Sequence, residues 1–249
     1  MRLSKTTWVA LLCLAAVSAV GLRFLLSPER ALRRAARDRR SLALEMLGDH
    51  LARHHPGERI LVVGNPFVER PGQPGDIRAF EEAAWRGLER GVAGRCDLVG
   101  IVRPALNPRA AADPTSVPLP PNTTTPLSFM TTPDAWDRIW REHPDAPLWV
   151  SLIGLPAGVT RMAVWQEPTP RFALLLPDLR VLGGPEAVHA AFRSGKLVAV
   201  VLNRPGAPPE SAAPAADART EFERRHLLVT PDNIDALLRQ YPGLFTLRF

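Results

Sequence analysis

Beyond position 58 the apolar residues gather into short runs, and polar residues at helical spacing fill the gaps between them. The first run, Arg59-Ile-Leu-Val-Val-Gly64, is rich in β-branched residues, follows Pro56-Gly57 and is closed by a glycine turn. Further runs of the same kind occupy 98–103, 148–153, 172–176, 197–202 and 226–229, and helical patterns fall at 76–91, 133–143, 185–194 and 231–240. Strands that are apolar on both sides, alternating with amphipathic helices, are what a parallel sheet covered on both faces requires. The pattern predicts a three-layer, Rossmann-like doubly wound α/β fold with a mostly parallel sheet, carried by residues 57–249.

Two helix starts are nearly the same. Thr132-Pro-Asp-Ala-Trp-Asp and Thr230-Pro-Asp-Asn-Ile-Asp share Thr, Pro and both Asp. Capping grammar accounts for this without duplication: Thr at the N-cap, Pro at N1 and Asp near the positive end of the helix dipole.

Upstream the pattern changes. Residues 8–22 are uncharged and fifteen long, short of the roughly twenty that span a bilayer. Phe24, Leu25 and Leu26 extend the run to nineteen if Arg23 snorkels. Residues 1–26 are therefore expected to be a single-pass membrane anchor. The alternative is a signal peptide cleaved after Val17-Ser18-Ala19, leaving a secreted or periplasmic chain. From Pro28 a helix is expected over 27–56, with Ser27 as N-cap and Leu44, Leu47 and Leu51 as an apolar stripe. The arginines before that stripe read as a juxtamembrane surface for anionic headgroups.

Charge sharpens this division. Residues 1–40 hold nine Arg or Lys against two acidic side chains, while the other 209 hold 22 basic and 23 acidic. The positive excess belongs to the membrane-proximal part, and a neutral domain lacks the counterion-release term behind non-specific nucleic-acid binding. The soluble part has a single cysteine, Cys96, which excludes an internal disulfide and a cysteine-rich zinc site.

Candidate chemistry lies in the loops. Residues 104–126 contain seven prolines, and 204–218 are rich in Pro, Ala and Gly. Both follow strand ends, the edge where open parallel sheets bind ligands. Asn65, Arg70, Arg103, Asn107, Asp178, Asn203 and Arg204 stand at that edge and are the candidate ligand-binding residues, though Asn and Arg beside Pro also serve as ordinary turn and loop residues. Gly64-Asn65-Pro66 matches neither a dinucleotide fingerprint nor a P-loop, no Gly-x-Ser-x-Gly occurs, and no cofactor is expected. His50 and His54 are one helical turn apart, but they read as a helix terminus and no metal is expected.

Three readings follow. The first is a membrane-anchored, non-catalytic α/β domain binding a small ligand or a partner protein at the C-terminal sheet edge. The second is a hydrolase or transferase that assembles acid–base groups from Asp178, His189 or His226. The third is a structural subunit of a cell-envelope assembly that docks through the 44/47/51 stripe. The opening strand, the helix from near Asp76 and the second strand resemble one lobe of a two-lobed solute-binding protein, by an order of elements that many Rossmann-like folds share.

Overall fold

A computed structural model describes residues 28–246 apart from Gln73. The expected anchor or signal at 1–26 lies outside the described residues, and among those described no helix is long and apolar enough to cross a membrane.

The strands are β1 Arg59–Val63, β2 Asp97–Val102, β3 Leu148–Ser151, β4 Arg171–Leu175, β5 Leu197–Asn203 and β6 His226–Val229. They form one sheet in the order β2-β1-β3-β4-β5-β6. All neighbours are parallel except β5 and β6, which pair antiparallel with Asn203 opposite His226. The architecture is thus α/β with a mostly parallel sheet. The order reverses between β1 and β3, so the topological switch point lies at the C-terminal ends of those two strands.

The apolar runs explain the layering. In β1, Ile60 and Val62 enter one core while Leu61 and Val63 enter the other, because successive side chains point to opposite faces. One face is covered by α1 Pro28–His54, α2 Gly75–Val92 and, after the short α3 Pro108–Ala112, the later α7 Ala218–Arg225. The opposite face carries α4 Ala135–Glu142, α5 Ala163–Gln166, α6 Pro185–Arg193 and α8 Ile234–Gln240. Trp136, Trp149 and Phe172 meet there with ring centroids about 6 Å apart, Trp149 edge-on to Phe172.

Lys196, at the start of β5, is buried beneath this aromatic group. Its ammonium donates to the Val164 and Glu167 carbonyls at 2.7 Å each, and lies 5.2 Å from the centre of the Phe172 ring. A compact cation with several donors suits the carbonyls left open at the end of α5.

The docking-arm reading of α1 is overturned. Leu44, Leu47 and Leu51 are fully buried on the chain's own sheet. Burial of three leucines removes about 5–9 kcal/mol of exposed apolar surface from water, leaving no stripe for an outside partner. The close seat comes from small residues: a Cβ on Gly87 would stand 2.0 Å from the Ser41 carbonyl oxygen of α1, and one on Gly91 2.2 Å from that of Glu45.

Other departures are local. The two Thr-Pro-Asp segments form turns before their helices, which begin at Ala135 and Ile234, and neither Thr is an N-cap. Asn233 instead accepts from the Thr230 backbone amide at 2.8 Å, so a local side-chain turn replaces the helical cap. Residues 104–126 are also less irregular than their prolines imply. They include α3 and one 3₁₀ turn, a second begins at Pro126, and Phe67, Ala110, Val117 and Met130 form a small core beneath them.

Gly87→Ala is expected to cost about 1–3 kcal/mol by overpacking the α1–α2 contact, or roughly 2–12 °C of melting temperature for a domain of this size. Gly75→Ala, which has open space at its Cβ position, should stay within about 2 °C of the parent. Equal melting temperatures for the two variants would show that α1 does not sit on α2 in this way.

Candidate functional site

The residues expected at the C-terminal edge are found there, but they do not form a single pocket. Asn65 and Arg103 meet on Glu81, a carboxylate of α2 that is only 5% exposed. The Asn65 amide donates to Glu81 Oε2 at 2.7 Å, and an Arg103 guanidinium nitrogen bonds Oε1. Gly64 leaves room for this approach: a Cβ there would lie 2.3 Å from Glu81 Oε2. The Asn65 side chain accepts from Phe67 N, and Arg70 stacks 5.9 Å from the centre of the Phe67 ring. These three residues close the end of β1 rather than open it.

Asn107 is the N-cap of α3, accepting from Ala110 N at 2.7 Å and donating to the Phe129 carbonyl at 3.3 Å. Arg204 donates to the Glu223 carbonyl and to the Tyr241 hydroxyl. Asp178 caps the turn after β4. Burial opposes its ionisation, yet bonds from Arg180 and Thr123 outweigh that and hold its pKa below the ordinary carboxylate value. Asp178 and Asn203 line a cavity of about 440 Å³ with Asn122, Thr124 and Arg180.

The acid–base assembly of the second reading does not form. Asp178 is bound by Arg180, His189 Nε2 lies 2.7 Å from Asp235 between α6 and α8, and His226 Nδ1 has no hydrogen-bond partner. Among the described residues there is also no group of three His, Cys, Asp or Glu able to hold a metal. His50 and His54 instead stack on each other, with ring centroids 4.3 Å apart.

The edge opens on the α1 side of β4, β5 and β6. A cleft of about 360 Å³ is lined by Arg39 and Arg40 of α1, Leu176 after β4, Asn203 at the end of β5, and Arg225 and His226. Its outer wall is the 204–217 segment. Prolines 205, 208, 209 and 214 carry carbonyls but no amide hydrogens, and an arginine fork carries only donors. The two fit: Arg225, itself buried and paired with Glu221, donates to the carbonyls of Pro208, Pro209 and Ala212. Arg39 adds a bond from Nη1 to the Glu210 carbonyl at 3.0 Å.

Several polar groups of these lining residues are left over. Arg39 Nη2, Arg40 Nε and His226 Nδ1 are buried atoms without a hydrogen-bond partner. Arg40 makes one hydrogen bond, from Nη2 to the Leu152 carbonyl at 3.2 Å. Burial lowers its pKa to about 10 against the opposing charge of Glu81. Leu176, between this cleft and the one at Asp178, holds a φ of +46°. A branched residue in that left-handed region stores strain, a feature that concentrates at functional sites.

Charge alone hid these residues in the sequence. Arg39 and Arg40 stand in a run of arginines that reads as a surface, and Glu81 stands in a helix of ordinary amphipathic pattern. The one local signal was Gly64 directly after a strand, since a glycine there marks close approach by another group.

No family model matches the chain and no curated protein aligns with it. Among solved structures, an ABC transporter solute-binding protein from Mycobacterium smegmatis with bound glycerol superposes with a TM-score of 0.46 at 16% identity, over 85% of this chain and 64% of that one. A carbohydrate transporter solute-binding protein from Agrobacterium radiobacter in complex with D-arabinose gives 0.46 at 12%, over 83% and 63%. A sugar ABC transport substrate-binding protein from Bordetella parapertussis 12822 gives 0.39 at 16%, over 66% and 41%. The chain spans less than two thirds of the length of these proteins, and at these scores the likeness assigns it neither a family nor a ligand.

The histidines make a prediction about acid. Burial first, then neighbouring positive charge, lowers the pKa of His50 and of His226 to about 4. Between pH 6.5 and 4 the unfolded chain takes up protons that the folded chain refuses. Stability is therefore full above pH 6.5 and falls as the pH drops through that window, by at most about 1.4 kcal/mol per unit for each histidine. Urea unfolding at pH 7, 5.5 and 4.5 should show a shallower loss in His226→Gln and His50→Gln than in the parent. An unchanged slope in the double variant would remove this assignment.

Proposed function

We propose that this chain is a membrane-anchored, non-catalytic binding domain that holds a small polar ligand in the cleft between α1 and the 204–217 segment. The carrying observation is that Arg39, Arg40, Asn203 and His226 line one cleft at the C-terminal edge of the sheet, and that among the described residues Arg40 is held there by a hydrogen bond to the Leu152 carbonyl and by no ion pair. A guanidinium carries five donors, and a ligand with acceptor groups can take those that the fold leaves over. The volume of about 360 Å³ suits a small molecule.

A binding role is favoured over catalysis by the composition of the cleft. Among the described residues its only carboxylate is that of Glu210, on the exposed outer wall, and His226 stays neutral at pH 7. General acid–base work needs a positioned pair of titrating groups, and the lining supplies none. The anchor rests on the uncharged run at 8–22 and the arginines that follow it.

The full chain in detergent, screened by thermal shift against a panel of small metabolites, is expected to be stabilised saturably by at least one of them. Ala36→Trp, which fills the cleft from α1, should weaken that response by about tenfold or more. A panel without any stabilising compound, or a response unchanged in Ala36→Trp, would overturn the proposal.

A further inference from the structure

The cleft's electrostatics go further than its shape and identify the class of ligand, on the reading that the cleft is a binding site. Three guanidinium groups line it. Arg225 is paired with Glu221, which Arg224 shares, and is engaged by the loop carbonyls, so it acts as scaffold. Arg39 is held by the Glu210 carbonyl, and its Nη2 stands 3.5 Å from the Glu210 carboxylate without a hydrogen bond. Arg40 has no carboxylate at ion-pair distance among the described residues. Glu81 acts on it only through space, because both Glu81 oxygens are already taken by Asn65 N and Arg103.

A half-buried cation without a carboxylate partner is costly, and a fold normally supplies a counter-ion or neutralises the group. Arginine is not neutralised near pH 7, even with its pKa reduced. The remaining route is an anion from outside. An oxyanion in the cleft would meet the guanidinium groups of Arg40 and Arg39, both of which line it. Bonds between a guanidinium fork and an oxyanion are among the strongest a protein makes. Asn203 and His226, both uncharged, line the same space and are suited to the uncharged remainder of such a molecule.

We infer that the cleft binds a small soluble oxyanion, carrying a carboxylate or phosphate, between Arg39 and Arg40. Glu210 then has a second consequence. Its carboxylate, 78% exposed at the rim, repels the same anion and competes with it for Arg39.

The test is calorimetry and thermal shift on the full chain in detergent. It uses inorganic phosphate, succinate and glucose at one ionic strength, with phosphatidylglycerol vesicles as a separate arm. Phosphate or succinate is expected to bind saturably and glucose not to bind. Arg40→Met should weaken the anion about tenfold or more, while leaving the ligand-free protein at least as stable as the parent, because a half-buried charge without a carboxylate partner has gone. Glu210→Gln touches only the rim and should fold as the parent does. It should tighten the anion by about threefold or more, the expected sign when a like charge is removed.

Binding of glucose that Ala36→Trp abolishes, with no anion bound, would overturn the anion while leaving the cleft as a binding site. A response to vesicles but to neither soluble anion would overturn the soluble ligand in favour of a lipid headgroup. Weaker or unchanged anion binding in Glu210→Gln would overturn the placement. If nothing binds in a manner sensitive to Ala36→Trp, the cleft reading falls and the anion with it.

Discussion

The seating of α1 on α2 and the sheet is the constraint on which the rest of the structure depends. A helix can approach this closely only where the facing backbone carries no side chain, and Gly87 and Gly91 supply that surface along one turn of α2. The contact brings Leu44, Leu47 and Leu51 onto the apolar face of β1, β3 and β4. It also fixes where the residues one to two turns earlier must lie. Arg39 and Arg40 are carried inward over the C-terminal ends of the strands, although their local sequence resembles the exposed arginines before them. Apolar packing thus forces two cations into a place they would not choose for their own solvation.

The electrostatics follow from that placement. At the end of β1 and β2 the fold supplies carboxylates: Glu81 receives Asn65 N and Arg103, and Arg103 also pairs with Glu69 at 2.6 Å. At the end of β5 it does not, since Arg40 reaches only a carbonyl and Arg39 a carbonyl plus a carboxylate beyond hydrogen-bonding distance. The two ends of one edge therefore behave oppositely. At the first the cation is held by two carboxylates, and at the second Arg40 has no carboxylate at ion-pair distance among the described residues.

The layers were legible in the sequence because both signals behind them are periodic. Each of the six apolar runs became a strand, and the antiparallel direction of β6 could not be read, since a four-residue run carries no direction. Helix α7 was missed: it follows Pro- and Ala-rich residues and is amphipathic only weakly, with Phe222 its one large apolar anchor in the core. Among the candidate residues, position along the edge was legible but role was not. Asn65, Arg103 and Asn107 have the residue types of ligand contacts, yet their hydrogen bonds serve Phe67, Glu81 and Ala110. Whether a polar side chain faces a ligand or its own backbone depends on contacts distant in sequence, which one-dimensional patterns do not carry.

Topology explains why the open site lies at β5 and β6 instead of at the switch point between β1 and β3. In a doubly wound sheet the switch point is where two connections diverge and leave a crevice. Here that crevice is occupied: Arg40 reaches the Leu152 carbonyl after β3, and the proline-rich 104–131 segment folds over the edge, tied by the Leu106–Thr131 bridge and by Ala157 N to the Ser128 carbonyl. The antiparallel turn of β6 creates a different opening. Because β5 ends and β6 begins at the same edge, the whole connection 204–225 must leave and return there, on the face that α1 already covers. It does not pack flat against α1, since it holds four prolines and its carbonyls turn to the guanidinium groups of Arg39 and Arg225 instead of an apolar seat. The gap between a helix pressed down by glycines and a loop held off by prolines is the cleft, and its charge is whatever α1 happens to carry over that edge, which is Arg39 and Arg40.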